Sequence, residues 1–405
     1  MDKTWELWWE KILIRIQNQD NLTQEEVRKG WGYLWGEWKN IEKGFVTKKF
    51  LPEKLRMLMS LKSIDPLTVL IAPTFLTGIF AKGITVMEMK GFIQSFKDND
   101  WFNGYQDVKP FSKNLIYTNG FGGDEIKTVN VSTPSIIMAA AAGANVLKMG
   151  SHSYFGASGA GNFTDNIGYK AITLPESVET AFITSRAAYI NGESAADAKT
   201  QDIATFMSKV PNGMHIMKAL FYPFRFHILC FDFFQAPFQQ RGISVPDTEL
   251  VGELVAELCS YTKKGMIVYG TDDKGLSLDE VSNVGMTKMT LIEENKVKDT
   301  IYTTPEDWGV KHRNVKDITL SDFDNRLKIT LESMVGKRED GFSDLLVINA
   351  AQYLFLNGMV DTFKKGTDLI KQSIANGSVR EELLKFVEST NGNLAILEKE
   401  LANIK

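Results

Sequence analysis

The sequence has few of the features that set a chain apart from an ordinary globular enzyme. Only two cysteines, Cys230 and Cys259, occur in 405 residues. Both lie in apolar segments, so a disulfide framework and a CxxC metal site are excluded and two buried thiols are expected. No uncharged apolar run of about 18 residues is present. The greasiest stretch, Phe221 to Phe238, is interrupted by Arg225, Asp232 and two prolines, so no spanning helix is expected. The opening MDKTWELWW is acidic and aromatic rather than basic and then apolar, which argues against a secretory signal and for a cytoplasmic protein. Neither sign of charge dominates: 46 basic residues face 50 acidic ones, a net charge of −4. Composition therefore gives no bulk attraction to nucleic acid or to an acidic membrane. No GxxxxGK followed by Ser or Thr occurs, and GFGGD lacks the GxGxxG spacing, so ATP-type and NAD-type cradles are both weak readings.

A hydrophobic share of 43% with 24% charged residues is that of a chain that folds into cores. At this length, two domains are the expectation.

The densest chemistry lies between Asn114 and Gly168. Asn114 to Thr118 reads as a buried strand running into Gly120, Gly122 and Gly123, where the missing Cβ lets backbone N–H groups approach a ligand. Thr128, Asn130, Ser132 and Thr133 follow as donors, and Ser132 or Thr133 is placed to cap a helix opened by Pro134. That helix is expected from Ser135 to about Ala142, stopped by Gly143, and its N-terminus favours an anion. A second strand, Ala144 to Lys148, then enters a glycine-rich loop from Gly150 to Gly161. A lone glycine turn is usually only a turn. Two such loops after two strands, with Asp124 and four hydroxyl or amide side chains between them, read as a phosphate and sugar cradle.

Elsewhere the chain reads more plainly. Residues 1 to about 40 are expected as helices, with Trp5, Trp8 and Trp9, then Trp31, Trp35 and Trp38, at helical spacing. Such aromatic stripes belong to a core or a subunit contact before a stacking platform. Thr23 with Glu26 is a capping-box signature. Helices are expected from Pro66, over Ile84 to Phe96, from Pro175 to about Tyr189 and from Ala195 to Lys209. His215 in an apolar segment is by itself most simply a core residue. Arg225 among Phe221, Phe224 and Phe226 demands an anionic partner. Strand-like runs such as GMIVYG and KMTLIEE precede the helices expected from about Phe323, where Asn349 reads as scaffold. Asp272, Asp273, Asp279 and Glu280 lie in a loop where solvated turn residues are the ordinary reading.

In order, GFGGD, TVNVST, KMGS and SGAGN resemble the GTGGD, T-x-N-[IV]-S-T, KHGN and GSAD motifs of the anthranilate phosphoribosyltransferases and their nucleoside phosphorylase-like relatives. LTQEEV, the segment Ile71 to Phe96, SLDEVS, PEDWGV and INAAQY resemble further segments in the same order, so the likeness covers most of the chain. It implies an α/β fold with a small all-helical domain, a larger domain built on a central, mainly parallel sheet, and a cleft between them. The small domain is expected over 1–97, with an insertion at about 37–65, completed by helices from about 175–225. The large domain is expected over 98–174 and 226–405. The resemblance further implies a homodimer paired through the N-terminal helices.

For the site, the resemblance implies that phosphoribosyl pyrophosphate (PRPP) is held by Gly120, Gly122, Gly123, Asp124, Thr128, Asn130, Ser132, Thr133, Lys148 and Ser158, with Gly150 and Gly159 on neighbouring family positions. Lys148 and Asp124 are the expected catalytic residues. Asp279 and Glu280 match the pair that holds Mg²⁺, a hard cation suited to a diphosphate. His215 and Arg225 fall on positions lining the acceptor site, together with Met149 and Ser151. Here the chain departs from the family: Lys148, Met149, Gly150 and Ser151 replace KHGN, Phe121 replaces the threonine of GTGGD, and Gly159, Ala160, Gly161 and Asn162 replace GSAD. The expected function is Mg²⁺-dependent transfer of ribose 5-phosphate from PRPP to a nitrogen of an aromatic or heterocyclic acceptor. Two alternatives stand beside it. One is anthranilate phosphoribosyltransferase of tryptophan biosynthesis itself. The other is a retired relative serving as a binding or scaffold protein, with nucleic acid as a candidate ligand.

Overall fold

The computed structural model describes residues 3–47, 66–98, 112–120, 122–152, 159–172, 175–192, 234–319 and 325–404. The chain divides into two units, residues 1–103 with 196–228, and residues 104–195 with 229–405.

In the first unit the described elements are all helices: α1 (Lys3–Gln17), α2 (Gln24–Thr47), α3 (Pro66–Ala81) and α4 (Val86–Asp98). The expected capping box forms: Thr23 N–H donates to Glu26 at 2.8 Å and Glu26 N–H to the Thr23 hydroxyl at 3.2 Å. Thr85 and Glu88 repeat the device at the start of α4. Of the early tryptophans, Trp9 and Trp31 are buried with Ile12, Phe75 and Phe92. Trp5 and Trp8 are only partly covered, and the Lys29 ammonium lies about 5 Å from both rings. The stripe is thus core on one side and surface on the other, as amphipathic spacing requires. Most of the 37–65 insertion, and His215, Arg225 and the helix expected from Ala195 to Lys209, lie outside the described residues.

The second unit is built on one sheet. Its strands are β1 (Leu115–Gly120), β2 (Asn145–Gly150), β3 (Ala187–Asn191), β4 (Phe238–Gly242), β5 (Lys264–Thr271), β6 (Ser277–Leu278), β7 (Thr287–Glu293) and β8 (Lys296–Thr303). The order is β3-β2-β1-β4-β5-β7-β8, with β6 on β5. The five strands from β3 to β5 are parallel, and β6, β7 and β8 add antiparallel pairs. The sheet is therefore mainly parallel, as expected. Its parallel strands are almost wholly buried, β4 even though it reads FQQRG, because helices cover both faces. On one side pack α5 (Ser132–Ala141), α10 (Gly341–Leu356) and α12 (Ser378–Glu388), whose buried side chains join those of β1, β2 and β5 in a single core. The remaining helices are α6 (Ala160–Asn166), α7 (Pro175–Thr184), α8 (Thr248–Leu258), α9 (Arg326–Met334), α11 (Phe363–Ala375) and α13 (Leu394–Ala402). Cys259 is buried, as a free thiol in an apolar segment should be.

Two local expectations change. The helix expected from Pro175 to about Tyr189 stops at Thr184, and Ala187–Asn191 is a strand paired with β2. AAYIN has the apolar content of either element, and pairing along the exposed edge of β2 decides for the strand. The segment 175–192 thereby falls within the sheet-bearing unit rather than completing the helical one. Helix α5 begins at Ser132, three residues before its expected start, because the Asn130 side chain accepts the Thr133 N–H at 3.1 Å. Asn130, rather than Ser132 or Thr133, therefore supplies the capping oxygen, and Pro134 sits inside the first turn, where a missing N–H costs nothing.

Candidate active site

The strand order reverses between β1 and β4: from β1 the chain winds outward to β2 and β3, then returns to β4 and continues to β5 on the other side. In doubly wound sheets a ligand crevice opens at such a switch point, beyond the carboxyl ends of the strands. Here those ends are Gly120 and Gly242, paired in register. Both face Asp279, Gly242 its backbone and Gly120 its carboxylate. A Cβ on Gly120 would sit 2.8 Å from Asp279 Oδ2, and one on Gly242 would sit 1.9 Å from the Asp279 carbonyl oxygen. The two glycines admit the acidic loop after β6 into the crevice.

Three of the expected site features meet there. Gly122 and Gly123 have positive φ, of 63° and 86°, the conformation for which glycine is needed. Gly122 N–H donates to Asp279 Oδ2 at 2.8 Å, and its carbonyl accepts from the Ser244 hydroxyl at 2.7 Å. The following loop is stitched to β6: Glu125 Oε2 accepts from Ser277 N–H at 3.0 Å, and Ile126 N–H reaches Ser277 O at 3.2 Å. These bonds hold Asp124 beside Asp279.

The electrostatics follow from that crowding. Burial, then the Asp279 charge, pushes the Asp124 carboxyl well above the usual carboxylate range, with Glu280 adding to the push. Glu280 is raised in the same way by burial and Asp279, and Lys148 opposes the shift. Burial lowers the Lys148 ammonium while Glu280 and Asp279 support it. Three acids and one lysine are thus crowded together, and burial with like charge favours the neutral form of Asp124 and Glu280. Asp124 Oδ1 is buried with no hydrogen-bond partner among the described residues.

The donor set suits Mg²⁺, which takes hard oxygens, tolerates one or two protein carboxylates and completes its shell with water and phosphate. Among the described residues no group of three His, Cys, Asp or Glu side chains converges into a cage. Any such ion would therefore rest on Asp279 and Glu280 together with the oxygens of its ligand.

The remaining expected residues are placed as follows. Thr133, in the first turn of α5, is fully buried, and its hydroxyl has no partner among the described residues. Ser132 is half-buried beside it. Thr128 spends its backbone in a bridge to Thr319. Met149 is buried, with its sulfur 3.6 Å from the Tyr117 hydroxyl. Ser151 donates from its hydroxyl to the His152 carbonyl at 3.1 Å. Ser158 lies outside the described residues.

Sequence reading missed one pair at this rim. His152 Nε2 lies 2.8 Å from Asp165 Oδ2 on α6, and Asn191 Nδ2 is 3.4 Å from Nδ1. A Cβ on Gly161 would strike the His152 ring at 2.9 Å, so that glycine makes room for the imidazole. The available signal was a histidine two residues after Gly150 with an aspartate thirteen residues later, a spacing that means little until α6 folds back over β2.

The sheet thus gathers glycine-rich turns and an acidic pair at its switch point. Residues 112–202 and 234–380, more than half of the chain, match the glycosyl transferase family, a/b domain, and the chain belongs to that family. Its relatives place it more narrowly, among the phosphoribosyltransferases. The anthranilate phosphoribosyltransferase of Methanosphaera stadtmanae is 30% identical over 330 residues, covering 79% of this chain and 89% of that protein. That of a Thermoanaerobacter species is 28% identical over 314 residues, covering 77% and 86%. Solved structures share the fold at lower identity. The Saccharomyces cerevisiae enzyme in complex with PRPP and Mg superposes with a TM-score of 0.68 at 17% identity, covering 96% of this chain and 99% of that one. The enzyme from Thermus thermophilus gives 0.64 at 16% identity, covering 94% and 99%.

Proposed function

We propose that the protein transfers ribose 5-phosphate from PRPP to a nitrogen of an aromatic or heterocyclic acceptor, releasing pyrophosphate, with Mg²⁺ as cofactor. The observation that carries this reading is the approach of Asp279 to Gly120 and Gly122 at the switch point. It sets the carboxylate of Asp279, next in sequence to Glu280, against the Gly122 N–H, an arrangement useful to a metal-bound diphosphate.

In this reading the α5 N-terminus, with the Ser132 and Thr133 hydroxyls and the Asn130 amide, receives the 5-phosphate. The glycine turn and Lys148 receive the pyrophosphate end, where a phosphate charge would add to the support that Glu280 and Asp279 give the Lys148 ammonium against its burial. When bound on Asp279 and Glu280, Mg²⁺ supplies charge neutralisation to the leaving group. The anomeric carbon–oxygen bond breaks with its electron pair leaving on pyrophosphate. The acceptor nitrogen forms the new bond and releases its proton to solvent. Most of the rate then comes from positioning and from stabilising the departing charge.

The acceptor remains the variable part of the proposal. Met149 and Ser151 stand where the family motif has histidine and asparagine. A site that loses a buried hydrogen-bonding group changes its preference for polar acceptors by about 1–3 kcal/mol. Anthranilate itself, and a place in tryptophan biosynthesis, is the second reading, supported by the relatives' identity as anthranilate phosphoribosyltransferases. The deciding experiment measures pyrophosphate release from PRPP and Mg²⁺ against anthranilate and a panel of aromatic amines and nucleobases. Release with no acceptor tested, and no binding of PRPP, refutes the proposal. A cytoplasmic homodimer paired through the N-terminal helices completes the reading, supported by Leu7 and Ile14, large apolar side chains exposed on α1.

A further inference from the structure

Asn349 lies on α10, fully buried, 68 residues from the acidic loop. Its side chain closes a two-way bond with a single residue of that loop. Oδ1 accepts the Val281 N–H at 2.9 Å, and Nδ2 donates to the Val281 carbonyl at 2.9 Å. Nδ2 also reaches Leu345 O at 2.9 Å, and Oδ1 accepts from Gln352 Nε2 at 3.0 Å. With two donors facing Oδ1 and two acceptors facing Nδ2, only one orientation of the amide is compatible with its neighbours. Neither Asp nor Leu can reproduce the set.

Val281 directly follows Glu280. The two residues before it are confined on their other side. The Asp279 carbonyl fits against Gly242, and the Glu280 carbonyl fits against Gly270, where a Cβ would come within 2.3 Å. The backbone from Asp279 to Val281 is thus pressed onto two glycines and gripped from the opposite side by one amide. The grip continues into the sheet: Gln352 accepts from Gln240 Nε2 at 3.2 Å, and Gln240 accepts from the Thr118 hydroxyl. Thr118 and Gln240 sit two residues before Gly120 and Gly242 on β1 and β4.

We infer that Asn349 is the positioning residue of the acidic pair: its amide fixes the Val281 peptide, and so the direction in which Asp279 and Glu280 present their carboxylates to a cation. The inference rests on the Mg²⁺ and PRPP reading above. Side chains one bond removed from a metal's ligands change metal affinity by roughly 10–100-fold when they are lost.

The test is calorimetric titration of PRPP into the full-length protein at a series of Mg²⁺ concentrations and in chelator. For Asn349→Ala the metal concentration that half-saturates PRPP binding should rise roughly tenfold or more, while PRPP affinity in chelator stays within about twofold. Gln352→Met, which removes one bond to Asn349 Oδ1 and leaves the grip on Val281, should move the same quantity by a smaller factor. It carries the test should Asn349→Ala not fold. Metal dependence equal to wild type in the folded variants overturns the inference, as does an equal loss of affinity with and without metal. A wild-type protein that shows no Mg²⁺-dependent PRPP binding overturns the functional reading as well, a result distinct from either.

Discussion

The Asp279 carboxylate accepts the backbone N–H of Gly122 at 2.8 Å, across 157 residues of chain. An amide suited to a phosphate oxygen is thereby held by one of the protein's own acids. A diphosphate entering the crevice meets a like charge on the donor it needs. In the proposed function Asp279 turns toward a cation to free that donor, so anion binding becomes conditional on metal.

Asp279→Ala separates the two effects. Removal of the competing charge should raise the metal-free affinity for inorganic pyrophosphate by roughly tenfold, and the enhancement by Mg²⁺ should disappear. Isothermal titration with and without chelator reads both. Metal-free affinity that falls instead would show that Asp279 does not compete for the turn.

Thr133 offers a contrast between stability and binding. Its hydroxyl is buried without a partner among the described residues, so Thr133→Val removes an unsatisfied group at almost constant volume. Unfolding in urea should show no loss and a gain of up to ~1 kcal/mol. PRPP affinity should fall by roughly tenfold if the hydroxyl serves the 5-phosphate. A stability loss with unchanged binding sinks the assignment.

The pH dependence of stability has a definite sign. The folded protein binds protons on Asp124 and Glu280 more tightly than the unfolded chain does, because burial and Asp279 raise both carboxyls. Their contribution is complete below the ordinary carboxylate range near pH 4 and is lost as pH rises through the raised folded values. Glu26, held low by the Thr23 N–H and Arg15, and Asp98 and Glu249, held low chiefly by Arg28 and Lys288, act oppositely and at lower pH. The clean quantity is a difference. In chelator, melting temperature above about pH 5 should decline less for Asp124→Asn than for wild type, and Mg²⁺ should recover part of the wild-type decline.

His152 directly follows Ser151, one of the proposed acceptor residues, and offers a test of where the acceptor binds. In His152→Ala the KM for the acceptor should rise by roughly tenfold with PRPP KM unchanged, and Asp165→Asn should shift the same constant by a smaller factor. Steady-state kinetics with the acceptor varied at saturating PRPP checks it. Equal effects on both substrates would place the pair in the scaffold instead.

Local chemistry was legible from the start. Glycine spacing and a threonine three residues before a glutamate act over a few residues, so GFGGD and the Thr23–Glu26 box could be placed without a fold, while the α5 start was read three residues late and its cap on Ser132 or Thr133 instead of Asn130. The mainly parallel sheet followed from the resemblance of GFGGD, TVNVST and the later segments to family motifs. The β3 strand could not, because AAYIN becomes a strand only when β2 offers it an edge. Nor could Asn349, which reads as one more polar residue in a helix until Val281 arrives opposite it.

The chain by itself determined which residue types were available for holding a phosphate: glycines without Cβ atoms, donors at a helix start, an adjacent Asp and Glu, and no cysteine framework or nucleotide motif to compete. Only the tertiary structure decided that Gly120 and Gly242 end side by side at the strand-order reversal, that Asp279 enters the space both leave open, and that Asn349 grips the peptide behind it. Those relationships join residues as far apart in the chain as Gly120 and Asp279. Sequence periodicity reaches only a few turns or strand pairs, whereas burial and charge act through space.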